Sequence, residues 1–436
     1  MSSSPLAQST IDTVKATVPV IVEYGIAIVA TMYRNMFRDN PEVKALFNPA
    51  NQSFGAGKTR ASQIEAFSDQ VFAPAAVPGS QQMSLAQAVL AYASHIDDLA
   101  VLTPAVARIT HKHVSLDVRP EHYPIVGQHL LRAIKEVLGE AATPTIIAAW
   151  AEAYEFLAAL LIETENRLRA ESASKVGGWV GFRPFVVAQK RRESAEVYSF
   201  YLTPLAGGPV PLYQAGQYLC FRLDVPEVGL VYRNYSLSAG PGGEHLRVSI
   251  KREPGVRDLP AGICSNYFHT HVQEGDVLDV APPYGSFTLV ESALPPVFIA
   301  AGIGITPMFS MFQAARQAHP SQPVHFIQCM RNGRSHPLRA EVAEVARLGA
   351  GVTVHSVYSQ PEASDRLGVD YDTAGHLSLE LLRAIVPDNH REFYFTGPIT
   401  FMRYVRTALH QWEVPASRVH YECFGPHAAE IEADIP

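Results

Sequence analysis

The chain has 436 residues, 47% hydrophobic and 18% charged, with a net charge of -7. That length exceeds one ordinary core and predicts two to four folded domains. The mixed charges leave no basic stripe for a nucleic acid and no hold for an anionic membrane surface. Four single cysteines (Cys220, Cys264, Cys329, Cys423) without a CxxC pair argue against zinc and iron–sulfur centres and suit a reducing compartment.

The first residues, MSSSPLAQST, carry neither the basic nor the apolar region of a secretory signal. From about residue 8 to 168 the pattern is helical: Ile125, His129, Leu130, Ile134 and Val137 recur at helical spacing, as do apolar residues across 146–161. Residues 53–80, rich in Ala, Gly, Ser and Pro, read as a long inserted loop. Its GAGKT lacks the first glycine of a phosphate loop, because Gln52 stands there, and no apolar strand leads in. At 172–183 (SASKVGGWVGFR) three glycines mark a boundary. Beyond it, the short runs FVVAQK, VYSFYL, QYLCFRL, LRVSIKR and VLDVAPP predict a small antiparallel barrel. The strands PVFIAA, PVHFIQCM, VTVHSVY and REFYFTG then alternate with helical segments, predicting an α/β domain with a parallel sheet. The apolar stretch 295–312 is broken by Gly302, Gly304 and Pro307, so it reads as strand, loop and helix rather than a membrane span.

Three motifs in the second half suggest nucleotide chemistry. In Arg233-Asn234-Tyr235-Ser236 the arginine suits a flavin nucleotide's diphosphate, the tyrosine its ring and the serine a hydrogen bond. Strand alternation places Arg233 and Tyr235 on one face. Gly262 and Ser265 open a helical stretch where amides and a hydroxyl suit phosphate. Gly302-Ile303-Gly304-Ile305-Thr306-Pro307 follows the strand VFIAA. Its glycines permit close approach to a diphosphate, and Thr306 is placed to cap a helix beginning at Pro307.

The helical half holds the parts of a haem pocket. His113 sits in ITHKHVS, with Tyr123 ten residues on and Glu165 in a later helix. An axial imidazole needs its second nitrogen hydrogen-bonded, and Tyr123 with Glu165 form a candidate relay. His111 competes for the role, but about 100° per residue puts the two imidazoles on opposite faces. Tyr33 is the candidate hydrogen-bond donor on the distal side, and Phe47 is placed to pack on the porphyrin.

Order and spacing of the later motifs resemble the ferredoxin–NADP reductase superfamily over about residues 178–426, with Gly216-Gln217-Tyr218 similar to its first barrel motif. Residues 10–165 resemble the globin domain of flavohaemoglobins through TVKATVP, MYRNMF, AYASHIDDL, KHVS and YPIVGQHLL, and HYECFGPH extends the likeness. The resemblance implies a multidomain chain: an all-α globin (haem) domain at 1–171, an antiparallel β-barrel FAD domain at 178–290, and an α/β parallel-sheet NAD(P) domain at 291–436. It implies haem b, FAD and NAD(P)H as cofactors, His113 as proximal iron ligand, Tyr123 and Glu165 as its relay, and Tyr33 as distal donor. Tyr218 and the 233–236 strand would hold flavin, and residues 302–307 the nicotinamide nucleotide. Lys112 and Glu422 match positions where haem and flavin domains meet. Phe424, within Cys423-Phe424-Gly425-Pro426, would cover the flavin. Counting back from AYASHIDDL makes Gln81 and Leu85 the distal glutamine and leucine, with Gln52, Gln63 and Gln70 as alternatives. Thr396-Gly397-Pro398 departs from the family's Cys-Gly-Pro, which implies a tuned rather than a lost hydride transfer.

The implied activity is nitric oxide dioxygenation to nitrate, with oxygen and nitric oxide as the small-molecule partners, by a cytoplasmic monomer without a membrane span. A reductase acting on a quinone, ferric iron or an alkyl hydroperoxide, and an oxygen or nitric oxide sensor, are the competing readings. Arg331, Asn332 and Arg334 leave the choice between NADH and NADPH open.

Overall fold

The computed structural model describes residues 6–47, 53–54, 77–78, 80–255 and 261–424. Packing divides the chain into two compact units, one made chiefly of residues 1–174 and one chiefly of 175–436.

In the first unit, α1 (Gln8–Ala16) leads into α2 (Val18–Asp39), where a proline in the first turn needs no amide partner. α2 buries Ile21, Gly25, Ile28, Met32 and Met36, each three or four residues from the next, so they form one stripe. The stripe packs against α3 (Ser80–Ser94) and α5 (His122–Leu138). α4 (Thr103–Ser115) and α5 both pack on α6 (Pro144–Ser174). By composition α6 is long and apolar enough to cross a membrane. It buries Trp150, Ala153, Leu161 and Glu165. A Cβ on Gly127 of α5 would overlap the Tyr154 ring of α6. Glycine therefore lets that ring pack closely, and the Tyr154 hydroxyl donates to the Tyr123 carbonyl at 2.7 Å. Within the inserted stretch, β1 (Ser53–Phe54) and β2 (Val77–Pro78) pair antiparallel and bring its ends together. GAGKT, Gln52, Gln63 and Gln70 lie outside the described residues.

The second unit opens with β3 (Arg183–Arg192) and β4 (Val197–Pro204), followed by β5 (Tyr218–Val225), β6 (Gly229–Ser236), β7 (Leu246–Lys251), α7 (Ile263–Thr270) and β8 (Val277–Val280). Its sheet runs β6-β5-β8-β3-β4-β7. A bridge from Leu237 to Val248 joins the end of β6 to β7, so the sheet closes into a barrel.

Next come β9 (Pro296–Ala301), α8 (Ile305–Ala318), β10 (Val324–Met330), α9 (Arg339–Leu348) and β11 (Val352–Tyr358). β12 (Thr373–Ala374), α10 (Leu379–Ile385), β13 (Glu392–Thr396), α11 (Ile399–Gln411) and β14 (Val419–Tyr421) complete the α/β part. The sheet order is β12-β11-β10-β9-β13-β14, all parallel. Every residue of β9 is buried, as a strand covered on both faces requires. The chain moves outward from β9 through β10 and β11, then returns to the other side of β9 for β13. That reversal opens a crevice at the carboxyl end of β9, the place where such sheets bind nucleotides.

Candidate active site

His113 lies in the last turn of α4, which stops two residues later. The amides of Leu116 and Val118 donate to the His113 carbonyl, and Asp117 takes a left-handed φ of 56° to close the turn. His113 Nδ1 stands 2.9 Å from Glu165 Oε1 and 3.0 Å from the Tyr123 hydroxyl. Tyr123 in turn donates to the same Glu165 oxygen. A carboxylate only accepts, and the phenol's proton is committed to it, so Nδ1 carries its own proton and donates. That tautomer leaves the lone pair on Nε2, which has no hydrogen bond among the described residues, the arrangement an axial iron ligand needs.

Glu165 is fully buried. The Arg169 guanidinium lies 3.8 Å from its other oxygen, Oε2, which accepts no hydrogen bond among the described residues. Burial, then the Glu165 contact and charge, hold the Tyr123 phenol far above its ordinary pKa, so it remains a donor. His111, half-buried on the same helix, has its imidazole pushed down to about 4 by burial. The relay converges on His113.

Tyr33 is buried on α2 beside Phe37 and Phe47, with ring centroids 5.4 Å and 5.3 Å away. Its hydroxyl makes no hydrogen bond to a described residue, and burial pushes its pKa up, so it is kept as a neutral donor. Gln81 and Leu85 sit one turn apart at the start of α3 and are half-buried. Gln82, which the count along the sequence passed over, is more deeply buried. Lys112 is exposed in the last turn of α4.

In the barrel, Arg233, Asn234, Tyr235 and Ser236 end β6. Tyr235 meets the edges of Phe221 and Phe268 at 5.9 Å and 5.4 Å, and Asn234 Oδ1 is buried without a described partner. Tyr218 opens β5. Gly216, at φ 104°, precedes it where a Cβ would overlap the Phe287 carbonyl. Gly262 caps α7, and the Ser265 hydroxyl accepts the Glu253 amide at 3.2 Å, so it currently closes its own loop.

At the carboxyl end of β9, Gly302 takes a φ of 54° with open space where a Cβ would lie. A Cβ on Gly304 would overlap the Thr396 carbonyl at the end of β13. The following helix starts at Ile305, so Thr306 lies inside its first turn rather than capping it, and donates to the Ile303 carbonyl at 3.0 Å. Thr396 is fully buried, and its hydroxyl has no hydrogen bond among the described residues. Glu422 and Cys423 are half-buried and Phe424 is exposed, while Gly425 and Pro426 lie outside the described residues. Beyond β10, Arg331 is taken up by Glu196. Asn332 forms a capping box with Ser335 and donates to Glu362 at 3.2 Å.

Sequence reasoning missed Arg169 and Tyr154, which hold Glu165 and Tyr123 from the same helix. The four-residue step from Glu165 to Arg169 was the available signal.

Residues 30–161 match the globin family model, and residues 298–407 match that of the oxidoreductase NAD-binding domain. Fold and site thus define a globin joined to a nucleotide-dependent reductase. Over 430 residues the chain is 44% identical to the flavohemoprotein of Chromobacterium violaceum, covering 98% of this chain and all of the relative. It is 40% identical over 428 residues to the flavohemoprotein of Halalkalibacterium halodurans, covering 98% of both. The chain belongs to the flavohemoprotein family. Its fold is shared with a crystal structure of a Malassezia yamatoensis flavohemoglobin with bound FAD and heme, at TM-score 0.77 and 24% identity, covering 96% of this chain and 100% of that one. The FAD/NAD-binding domain of a Vibrio cholerae nitric oxide dioxygenase matches at TM-score 0.50 and 36% identity, covering 56% of this chain and 99% of that one.

Proposed function

We propose that this chain is an NAD(P)H-dependent nitric oxide dioxygenase that converts nitric oxide and oxygen to nitrate, with a globin domain at 1–171, an FAD domain at 178–290 and an NAD(P) domain at 291–436. When bound, NAD(P)H and FAD supply a hydride and then single electrons, and haem b supplies the oxygen chemistry. The observation that carries the reading is the convergence of His113, Tyr123 and Glu165 on one carboxylate oxygen. A buried anion on Nδ1 makes Nε2 a stronger donor to iron, as an oxygen-activating centre needs.

Tyr33 would hydrogen-bond a ligand held by the haem, its hydroxyl making no hydrogen bond to a described residue and its ring set against Phe37 and Phe47. Gln81, in the first turn of α3, is assigned as the second distal group. In the reductase, Tyr218 and the 233–236 strand hold the flavin, with Gly262 and Ser265 at its phosphates. The 302–307 turn holds the coenzyme diphosphate. The close packing of Gly304 on Thr396 sets that turn, and Thr396 carries a hydroxyl where the family carries a thiol. Lys112 and Glu422 are assigned to electron transfer between flavin and haem, and the segment Cys423 to Pro426 would shield the flavin. The chain works as a cytoplasmic monomer.

Purified protein should carry haem and flavin together. His113→Ala should abolish nitric oxide consumption, and Tyr33→Phe should lower it by about 10- to 100-fold, the loss of one hydrogen bond to a charged group. Wild-type consumption left unchanged by both substitutions overturns the reading, as does turnover confined to quinone, ferric iron or alkyl hydroperoxide.

A further inference from the structure

Three charged side chains between the barrel and the parallel sheet have no part in the chemistry above, and all three belong to one compact unit. Glu341 lies in the first turn of α9, Arg247 in β7 and Arg191 near the end of β3. Arg247 Nη1 donates to Glu341 Oε2 at 2.7 Å and to Oε1 at 3.0 Å, and Arg191 donates to the same carboxylate. Arg247 is 3% exposed, an unusual depth for a permanent cation.

The remaining contacts of Arg247 show what this ion pair joins. Its Nε donates to the Ser238 hydroxyl at 3.2 Å, and its Nη2 donates to the Ser238 carbonyl. Ser238 follows the flavin strand by two residues, and its hydroxyl continues to Ser249 at 2.8 Å and from there to Ser199 at 2.7 Å. The guanidinium carbon lies 5.7 Å from the ring centroids of both Tyr201 and Phe309. Phe309 belongs to α8, the helix that grows directly out of the coenzyme turn. One planar group therefore touches the end of the flavin strand, the coenzyme helix and α9.

A buried ion pair adds little net stability, because desolvation offsets the attraction, so its effect is sought in geometry. A planar fork held by several acceptors and two rings admits one orientation, which a lysine could not reproduce. Hydride transfer is sensitive to misplacement on the ångström scale. We infer that Arg247 and Glu341 are positioning residues for hydride transfer, holding the coenzyme turn in register with the flavin strand. The inference rests on the reading of this half as the NAD(P)H- and FAD-binding reductase.

The test compares flavin-loaded wild-type protein with Glu341→Gln, Arg247→Lys and Arg191→Gln. Flavin reduction by NADH is followed anaerobically by rapid mixing, alongside FAD content and backbone hydrogen exchange. Glu341→Gln and Arg247→Lys should slow reduction at saturating NADH by about 10- to 100-fold. FAD content and the half-saturating NADH concentration should stay within about twofold, since the variants lose alignment rather than ligand contacts. Exchange should rise in β7 and α9. Arg191→Gln removes only the more exposed arm, so a smaller slowing is expected. Unchanged rates in Glu341→Gln and Arg247→Lys overturn the inference. Slowing that tracks lost FAD or weakened NADH binding also overturns it, by assigning the pair a purely structural role. Wild-type protein whose FAD is reduced by neither NADH nor NADPH would instead refute the underlying reading, a result the same traces distinguish.

Discussion

Glu165→Gln probes the proximal relay with little change of shape. The carboxylate oxygen now takes hydrogen bonds from His113 at 2.9 Å and from Tyr123, inside a fully buried site. Hydrogen bonds to a charged acceptor contribute about 1.5–3 kcal/mol and neutral ones about 0.5–1.5 kcal/mol, so the amide weakens the pull on the imidazole by about 1–2 kcal/mol. A tenfold change corresponds to about 1.4 kcal/mol, or about 59 mV for one electron, so the haem midpoint potential should rise by about 40–80 mV. The sign follows because a less anionic imidazole stabilises ferric iron less. A spectroelectrochemical titration of the loaded protein measures this. The Oε2 position becomes an amide NH2 facing the Arg169 guanidinium, 3.8 Å from Oε2, so unfolding stability should fall by about 1–3 kcal/mol while the protein stays folded. A potential that stays put or falls in the folded protein refutes the relay.

Gly127→Ala should destabilise the helical unit by about 1–3 kcal/mol, because its methyl overlaps the Tyr154 ring, and an unchanged thermal melt would contradict the packing. Burial, then the Arg339 charge, hold His336 down at about 3, below the unfolded value of about 6.5. Its contribution is therefore complete above about pH 6.5 and is lost as pH falls toward 3, at up to about 1.4 kcal/mol per pH unit. Denaturant titrations at several pH values should show a shallower slope for His336→Gln. Arg331 is neutralised by Glu196, and Glu362 and Asp365 crowd the same loop. NADH should therefore exceed NADPH in kcat/KM by about tenfold or more, and Glu196→Gln should narrow the gap by freeing Arg331. Equal efficiencies for the two coenzymes would refute this.

Helical and strand periodicity made the order of helices, barrel and parallel sheet legible, because each repeats in short windows. The glycines of the 302–307 turn were legible for a similar reason, since backbone conformation there limits the residue type. His113, Tyr123 and Glu165 could be nominated as a set, but periodicity did not show that all three meet at one oxygen, 52 residues apart at the widest. The inserted stretch before α3 removes the landmark for counting, so spacing alone led to Gln81 for the distal glutamine. Arg331 left the coenzyme choice open because its partner Glu196 lies 135 residues earlier. Arg247 and Glu341 are 94 residues apart on a strand and a helix, and no local pattern links them.

This chain couples nicotinamide oxidation to the conversion of nitric oxide and oxygen into nitrate. A hydride carries two electrons and each nitrate formed from nitric oxide and oxygen needs one. The most direct measurement is nitrate formed per NADH consumed by the haem- and FAD-loaded protein with both gases present. A ratio of about two is expected, with no nitrate from the His113→Ala protein. NADH consumption that continues without nitrate formation would contradict it.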